Sequence, residues 1–71
     1  MEILVFKTNV RYKKNIRTVT PHLENLHGIN RWNFDLHDKD KILRIEASDV
    51  VPSSIESLLQ SVGYYCEELT D

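Results

Sequence analysis

The chain has 71 residues, enough for one domain over residues 1–71 with one small core, burying roughly 60% of the surface its unfolded form exposes. Hydrophobic residues at 41% and charged residues at 28% place it with ordinary soluble globular proteins rather than disordered ones. A formal charge of -2 is too small to carry the chain to nucleic acid or a membrane, and one cysteine excludes an intrachain disulfide framework.

Ile3 to Thr8 reads as a strand, rich in β-branched and aromatic residues, with Leu4 and Phe6 expected inward. Asn9 to Lys13 follows as a loop. From Lys14 to Leu26 the apolar period becomes helical. Ile16, Val19, Leu23 and Leu26 form one stripe, and Gly28 stands just past it as a stop signal. Pro21 conflicts with that helix, because inside it a backbone hydrogen bond is lost and the ring crowds the preceding turn. The expected outcomes are a bend, an irregular first turn, or a shorter helix capped by Thr20 with Pro21 at its first position.

Gly28-Ile29 opens the next segment, in which Trp32, Phe34 and Leu36 alternate with Arg31, Asn33 and Asp35 as in a half-buried strand. His37-Asp38-Lys39-Asp40 is a polar turn. Lys41 to Ala47 returns as the hairpin partner, with Leu43 and Ile45 on one face and Arg44 and Glu46 on the other. Pro52-Ser53 announces a second helix, with Ser53 and Glu56 at capping-box spacing. Ile55, Leu58, Leu59 and Val62 make its stripe, and Gly63 ends it. Tyr64 to Leu69 is a short final strand. The order β-α-β-β-α-β predicts an α+β, ferredoxin-like sandwich, with two helices on one face of a four-stranded antiparallel sheet.

No apolar run approaches the ~20 residues needed to cross a bilayer. The stretch Met1-Glu2-Ile3-Leu4-Val5-Phe6-Lys7 has neither the length nor the flanks of a secretory signal. With a lone Cys66, the expected compartment is the reducing cytoplasm. Cys66 itself reads as a small strand residue whose pKa is raised by Glu67 and Glu68. His22, His27 and His37 read as surface histidines, since no spacing completes a zinc pattern. Trp32 and Phe34 read as core rather than as a nucleic-acid stacking platform, because they alternate with polar residues. No nucleophile-base pair, no carboxylate pair with recognisable spacing and no Gly-rich phosphate loop is present, so the chain is not expected to be an enzyme.

The first loop, the apolar helix stripe, Gly28-Ile29, the alternating strand through Asp35-Leu36, the hairpin, the second helix and Gly63-Tyr64 resemble, in order and spacing, a heavy-metal-associated domain. This is the fold of copper chaperones and of the amino-terminal modules of metal-transporting ATPases, and the resemblance covers nearly the whole chain. In that family the first loop reads Met-x-Cys-x-x-Cys, followed by an apolar residue. Counting back from Ile16 and Val19, those positions fall on Val10 to Asn15, and the cysteine positions on Tyr12 and Asn15.

Two thiolates at a helix N-terminus are stabilised by the helix dipole and, as soft donors, favour Cu(I). A phenol with pKa ~10 and a carboxamide cannot replace them. The resemblance therefore implies a binding module without the usual Cu(I) site, with no metal ligands and no cofactor. Arg11, Lys13, Lys14 and Arg17 surround the loop, and cations there draw anions. The functional reading is a docking patch for an acidic protein partner or a phosphate, with Tyr64 close to the loop and packed on Tyr12. The plainer reading is a solvated basic end. Acidic residues gather elsewhere, at Asp38 and Asp40 and at Glu67, Glu68 and Asp71. Two alternatives stay open: metal binding through Cys66, a histidine or Tyr12, and a small-ligand regulatory domain, since domains of this topology also bind amino acids at dimer interfaces. The expected state is a monomer or weak dimer.

Overall fold

Strand alternation and helical stripes converge on one covered sheet face. The computed structural model describes residues 2–70, so Asp71 of the acidic group lies outside the described residues. The elements run β1 (Glu2–Thr8), α1 (Lys13–Asn25), β2 (Ile29–Asp35), β3 (Ile42–Ala47), α2 (Pro52–Val62) and β4 (Cys66–Glu68). The strands form one four-stranded sheet in the order β2-β3-β1-β4, with every neighbouring pair antiparallel. This is the α+β, ferredoxin-like architecture expected from the sequence.

Leu4 and Phe6 of β1 pair with Ile45 and Leu43 of β3, and Trp32 and Phe34 of β2 pair with the same two residues from the other side. All six side chains belong to one cluster, closed by Val19 and Leu23 of α1, Ile55 and Leu59 of α2, and Cys66 of β4. Trp32 and Phe34 are partly buried and meet edge to face, with ring centroids 6.0 Å apart. They are core residues, as their alternation predicts. One irregularity interrupts β2, where the register shifts between Ile29 and Arg31.

Helix α1 runs through Pro21, so Thr20-Pro21 is not a helix start. The Thr20 hydroxyl donates to the Ile16 carbonyl at 2.7 Å instead. An interior proline costs about 3 kcal/mol. Burial of Val19 and Leu23 offsets that, since each such side chain contributes about 1.5–3 kcal/mol.

Three local expectations are corrected. Gly28 does not cap α1, which ends at Asn25 with an extended Leu26 as C-cap. Gly28 serves the turn into β2, with φ at +95°. A Cβ there would meet the Ser48 carbonyl oxygen and Val50 Cγ2, each at 2.7 Å. Ser53 and Glu56 do not form a capping box. Val51 is the N-cap of α2 and Pro52 its first residue, so Ser53 already lies inside the helix. The Glu56 carboxylate accepts the Glu68 N–H at 2.8 Å instead, tying α2 to β4. Finally, β4 spans only Cys66–Glu68, shorter than the expected Tyr64 to Leu69, although the Leu69 N–H still donates to the Val5 carbonyl at 2.8 Å. Gly63 does end α2, in the left-handed conformation that glycine favours.

Candidate functional site: the mouth of the first helix

The β1–α1 loop is anchored before any functional group is placed. Thr8 is buried, and its hydroxyl donates to the Lys41 carbonyl at 2.7 Å while accepting the Val10 N–H at 3.2 Å. Val10 is fully buried and pins the loop to the core. The Asn9 side-chain oxygen accepts the Tyr65 N–H at 2.8 Å, joining the loop to the approach to β4. With its base fixed, the loop presents Arg11 and Tyr12 to solvent.

Tyr12 is the N-cap of α1, and Asn15 lies one turn on. The sequence thus places both residues at the helix mouth. Asn15 is the hub there. Its side-chain oxygen accepts the Tyr12 N–H at 3.0 Å and the Arg11 N–H at 3.4 Å, and its amide nitrogen donates to the Tyr64 hydroxyl at 3.0 Å. These bonds satisfy backbone donors that a helix start leaves open. The Tyr12 side chain returns no capping bond and is 59% exposed, with the Lys14 ammonium 5.7 Å from its ring centroid. Tyr64 thus bonds to Asn15, whereas the sequence predicts packing on Tyr12. The cause is reach: the Asn15 amide faces the α2–β4 junction, whereas the Tyr12 ring turns to solvent beside Lys14.

Arg11, Lys13, Lys14 and Arg17 are all exposed. The first turn of α1 has no acidic residue. Among the described residues the ion pairs are Lys7–Asp40 at 3.8 Å and Arg31–Glu46 at 3.7 Å, so none of these four cations has a carboxylate partner. Cations at a helix N-terminus oppose the dipole. The mouth of α1 is thus an uncompensated positive surface, held in shape by neutral hydrogen bonds.

The donor set here does not suit a soft metal. A phenol, a carboxamide and the surrounding cations offer no sulfur, and the one thiol lies elsewhere. Cys66 is buried on β4. Burial, and then the nearby Glu56 carboxylate, push its pKa up to about 12. The sequence predicts a shift caused by Glu67 and Glu68. Burial dominates instead, and the acidic contribution comes from Glu56, which α2 presents across the sheet edge. Tyr65 donates to Glu67 at 2.5 Å, and that bond raises the phenol's own pKa. His22, His27 and His37 are exposed, and among the described residues no three His, Cys, Asp or Glu side chains gather where they would hold an ion.

A feature that sequence spacing did not reveal lies beside the loop. A cavity of about 440 Å³ opens between it and the tip of the β2–β3 hairpin, lined by Thr8, Asn9, Arg11, Tyr12, Lys39 and Lys41. The two lysines lie nearly thirty positions downstream of the loop. Antiparallel pairing of β1 with β3, which sets Lys7 opposite Ile42, brings them together.

The sequence matches no protein-family model and no curated protein. Solved structures are similar throughout. The yeast copper transporter domain Ccc2a, studied in apo and Cu(I)-loaded states, superposes with a TM-score of 0.85 at 18% identity, over 100% of this chain and 99% of that one. The N-terminal domain of ZntA in its Zn(II) form gives 0.78 at 21% identity, over 93% and 89% of the two chains. The Atx1–Cu(I)–Ccc2a complex gives 0.82 at 18% identity, over 100% and 99%. The chain therefore has the fold of heavy-metal-associated domains, in agreement with the resemblance read from the sequence.

Proposed function

We propose that the protein is a non-enzymatic interaction module, a metallochaperone-like domain that docks an acidic protein surface and lacks the usual Cu(I) site. The observation that carries this reading is the mouth of α1. Where two thiolates would be needed, Tyr12 and Asn15 stand, and Asn15 is committed to structural bonds with Arg11, Tyr12 and Tyr64. Around them Arg11, Lys13, Lys14 and Arg17 remain exposed and, among the described residues, without carboxylate partners. One of the similar structures is that of the Atx1–Cu(I)–Ccc2a complex, which supports a docking role for this fold. Charge of this kind mainly sets encounter rate and partner choice.

The test is capture of binding proteins by the wild type, by Lys13→Glu with Lys14→Glu, and by Arg44→Glu on the opposite sheet face. The expected result is loss of specific partners with the first variant only. Identical partner sets for all three proteins would refute the reading. A competitive titration with Cu(I) and a weak chelator is expected to leave the protein metal-free.

A further inference from the structure

We infer that the cavity between the β1–α1 loop and the hairpin tip is a binding seat for a phosphate group, free or carried on a small molecule. The Thr8 hydroxyl is consumed by the Lys41 carbonyl and the Val10 N–H. The acceptor oxygen of Asn9 is consumed by the Tyr65 N–H, which leaves its amide NH₂ without a partner among the described residues. Lys41 gives one ammonium bond to the Leu36 carbonyl at 2.9 Å and retains two further N–H donors. The Lys39 ammonium, the Arg11 guanidinium and the Tyr12 hydroxyl complete the lining, and none of these groups has a hydrogen-bond partner or a carboxylate within ion-pair distance among the described residues. The side-chain acceptors of the walls are mostly spent and the donors are mostly unspent. An occupant rich in acceptors and carrying more than one negative charge suits such a lining, whereas a metal cation does not.

The neighbouring acids are turned to other tasks. The Asp40 carboxylate pairs with Lys7 at 3.8 Å, and Asp38 accepts the Asp40 N–H at 2.8 Å. Neither lines the cavity. Three cations from two separate chain segments therefore face one concavity with no counter-charge on its wall. A volume of about 440 Å³ falls within the range of small-ligand sites, and every lining residue ends in a polar or charged group, which favours a phosphate bearing a polar group over an apolar ligand. The backbone is also held in place. Lys41 takes φ of +50°, its N–H donates to the Asp38 carbonyl at 3.0 Å and its carbonyl accepts Thr8, so the hairpin and the loop meet in a fixed geometry. The seat and the docking patch share Arg11 but are otherwise separate, because Lys39 and Lys41 lie outside that patch and Lys13, Lys14 and Arg17 lie outside the cavity.

The test is a backbone amide NMR titration of the intact chain at pH 7 with inorganic phosphate, alongside chloride at matched ionic strength. Saturable shifts are expected at Thr8, Asn9, Arg11, Tyr12, Lys39 and Lys41 with phosphate and not with chloride. Arg11→Gln with Lys39→Gln is expected to weaken phosphate about tenfold or more, since both removed donors are charged. Lys13→Gln with Lys14→Gln removes equal charge outside the cavity and is expected to have a much smaller effect. Shifts that match chloride, or equal weakening by the two double variants, would overturn the seat while leaving the docking patch standing. Ribose 5-phosphate then distinguishes the sources: tighter binding than phosphate assigns a phosphorylated small molecule, and equal binding assigns free phosphate. A hexaglutamate peptide that binds the same residues more tightly than either would overturn the phosphate assignment in favour of a protein carboxylate.

Discussion

The two β-to-α crossings of this fold do the same mechanical job with different chemistry. One joins β1 to α1 over residues 9–12, the other joins β3 to α2 over 48–51. Each buries a valine, Val10 or Val50, and each leaves its N-cap, Tyr12 or Val51, mostly exposed and without a side-chain capping bond. The second crossing enters a helix that begins Pro52-Ser53-Ser54, with no charge in its first turn. The first enters one that begins Lys13-Lys14 and follows Arg11. The fold therefore forms a β-to-α crossing without cations. The positive charge at the mouth of α1 is not a requirement of the backbone, and it opposes the helix dipole. The first crossing makes up the difference with side-chain bonds from Thr8, Asn9 and Asn15, the first two and the Asn15–Tyr64 bond reaching distant parts of the chain, whereas the second has the Ser48 hydroxyl accepting from the Asn30 amide, the Ser48 N–H donating to the Gly28 carbonyl, and apolar burial.

Four changes break or sharpen this contrast. The largest effect is expected at the apolar crossing: Ile55→Ala should cost about 2–5 kcal/mol in chemical denaturation, because Ile55 is fully buried beneath α2. At the polar crossing, Asn15→Ala should cost about 1–3 kcal/mol, since it frees two backbone donors and the Tyr64 partner in a partly solvated site. A loss as large as that for Ile55→Ala would show that the two crossings are not secured differently.

The third change is in pH, at Cys66 of β4, which pairs in register with Thr8 of β1. The Cys66 thiol titrates near 9.0 when unperturbed and near 12 in the fold. Below pH 9 both folded and unfolded chains keep the proton. Above it the unfolded chain releases a proton that the folded chain retains, so stability should fall as pH rises from about 9 to about 12. Comparing denaturation curves of the wild type and Cys66→Ala isolates this slope from that of other alkaline groups; equal slopes would contradict it. The smallest effect carries the opposite sign. Lys13→Glu with Lys14→Glu should raise stability by ~0.3–1 kcal/mol per site by relieving the dipole. Together with the loss of docked partners, that gain would mark the charge as functional at the expense of stability.

Much of this architecture was legible in the sequence because it depends on period. Alternation at Trp32 and Phe34 and the helical stripe through Ile16, Val19 and Leu23 each specify a face, and burial followed. Tyr12 and Asn15 were legible as the helix mouth for the same reason, by counting back along the stripe. What sequence spacing could not show was side-chain choice between competing partners. Glu56 has the right spacing for Ser53, yet it bonds Glu68 across a strand. Gly28 fits a helix stop, yet it is required by the approach of Ser48 and Val50. The cavity wall was illegible because Arg11 and Lys39 meet only through the register of β1 on β3. Asn15 and Tyr64, 49 positions apart, meet only once both helices are docked.

Pro21 has a consequence for how the molecule breathes. It removes the amide that would close the turn onto Arg17, in the helix whose opening turn also carries adjacent like charges. Native-state hydrogen exchange should therefore find 13–20 opening at lower free energy than 52–62. A ligand that neutralises the mouth of that helix would tighten the same segment, so occupancy would register as slowed exchange along α1 well beyond the contact itself.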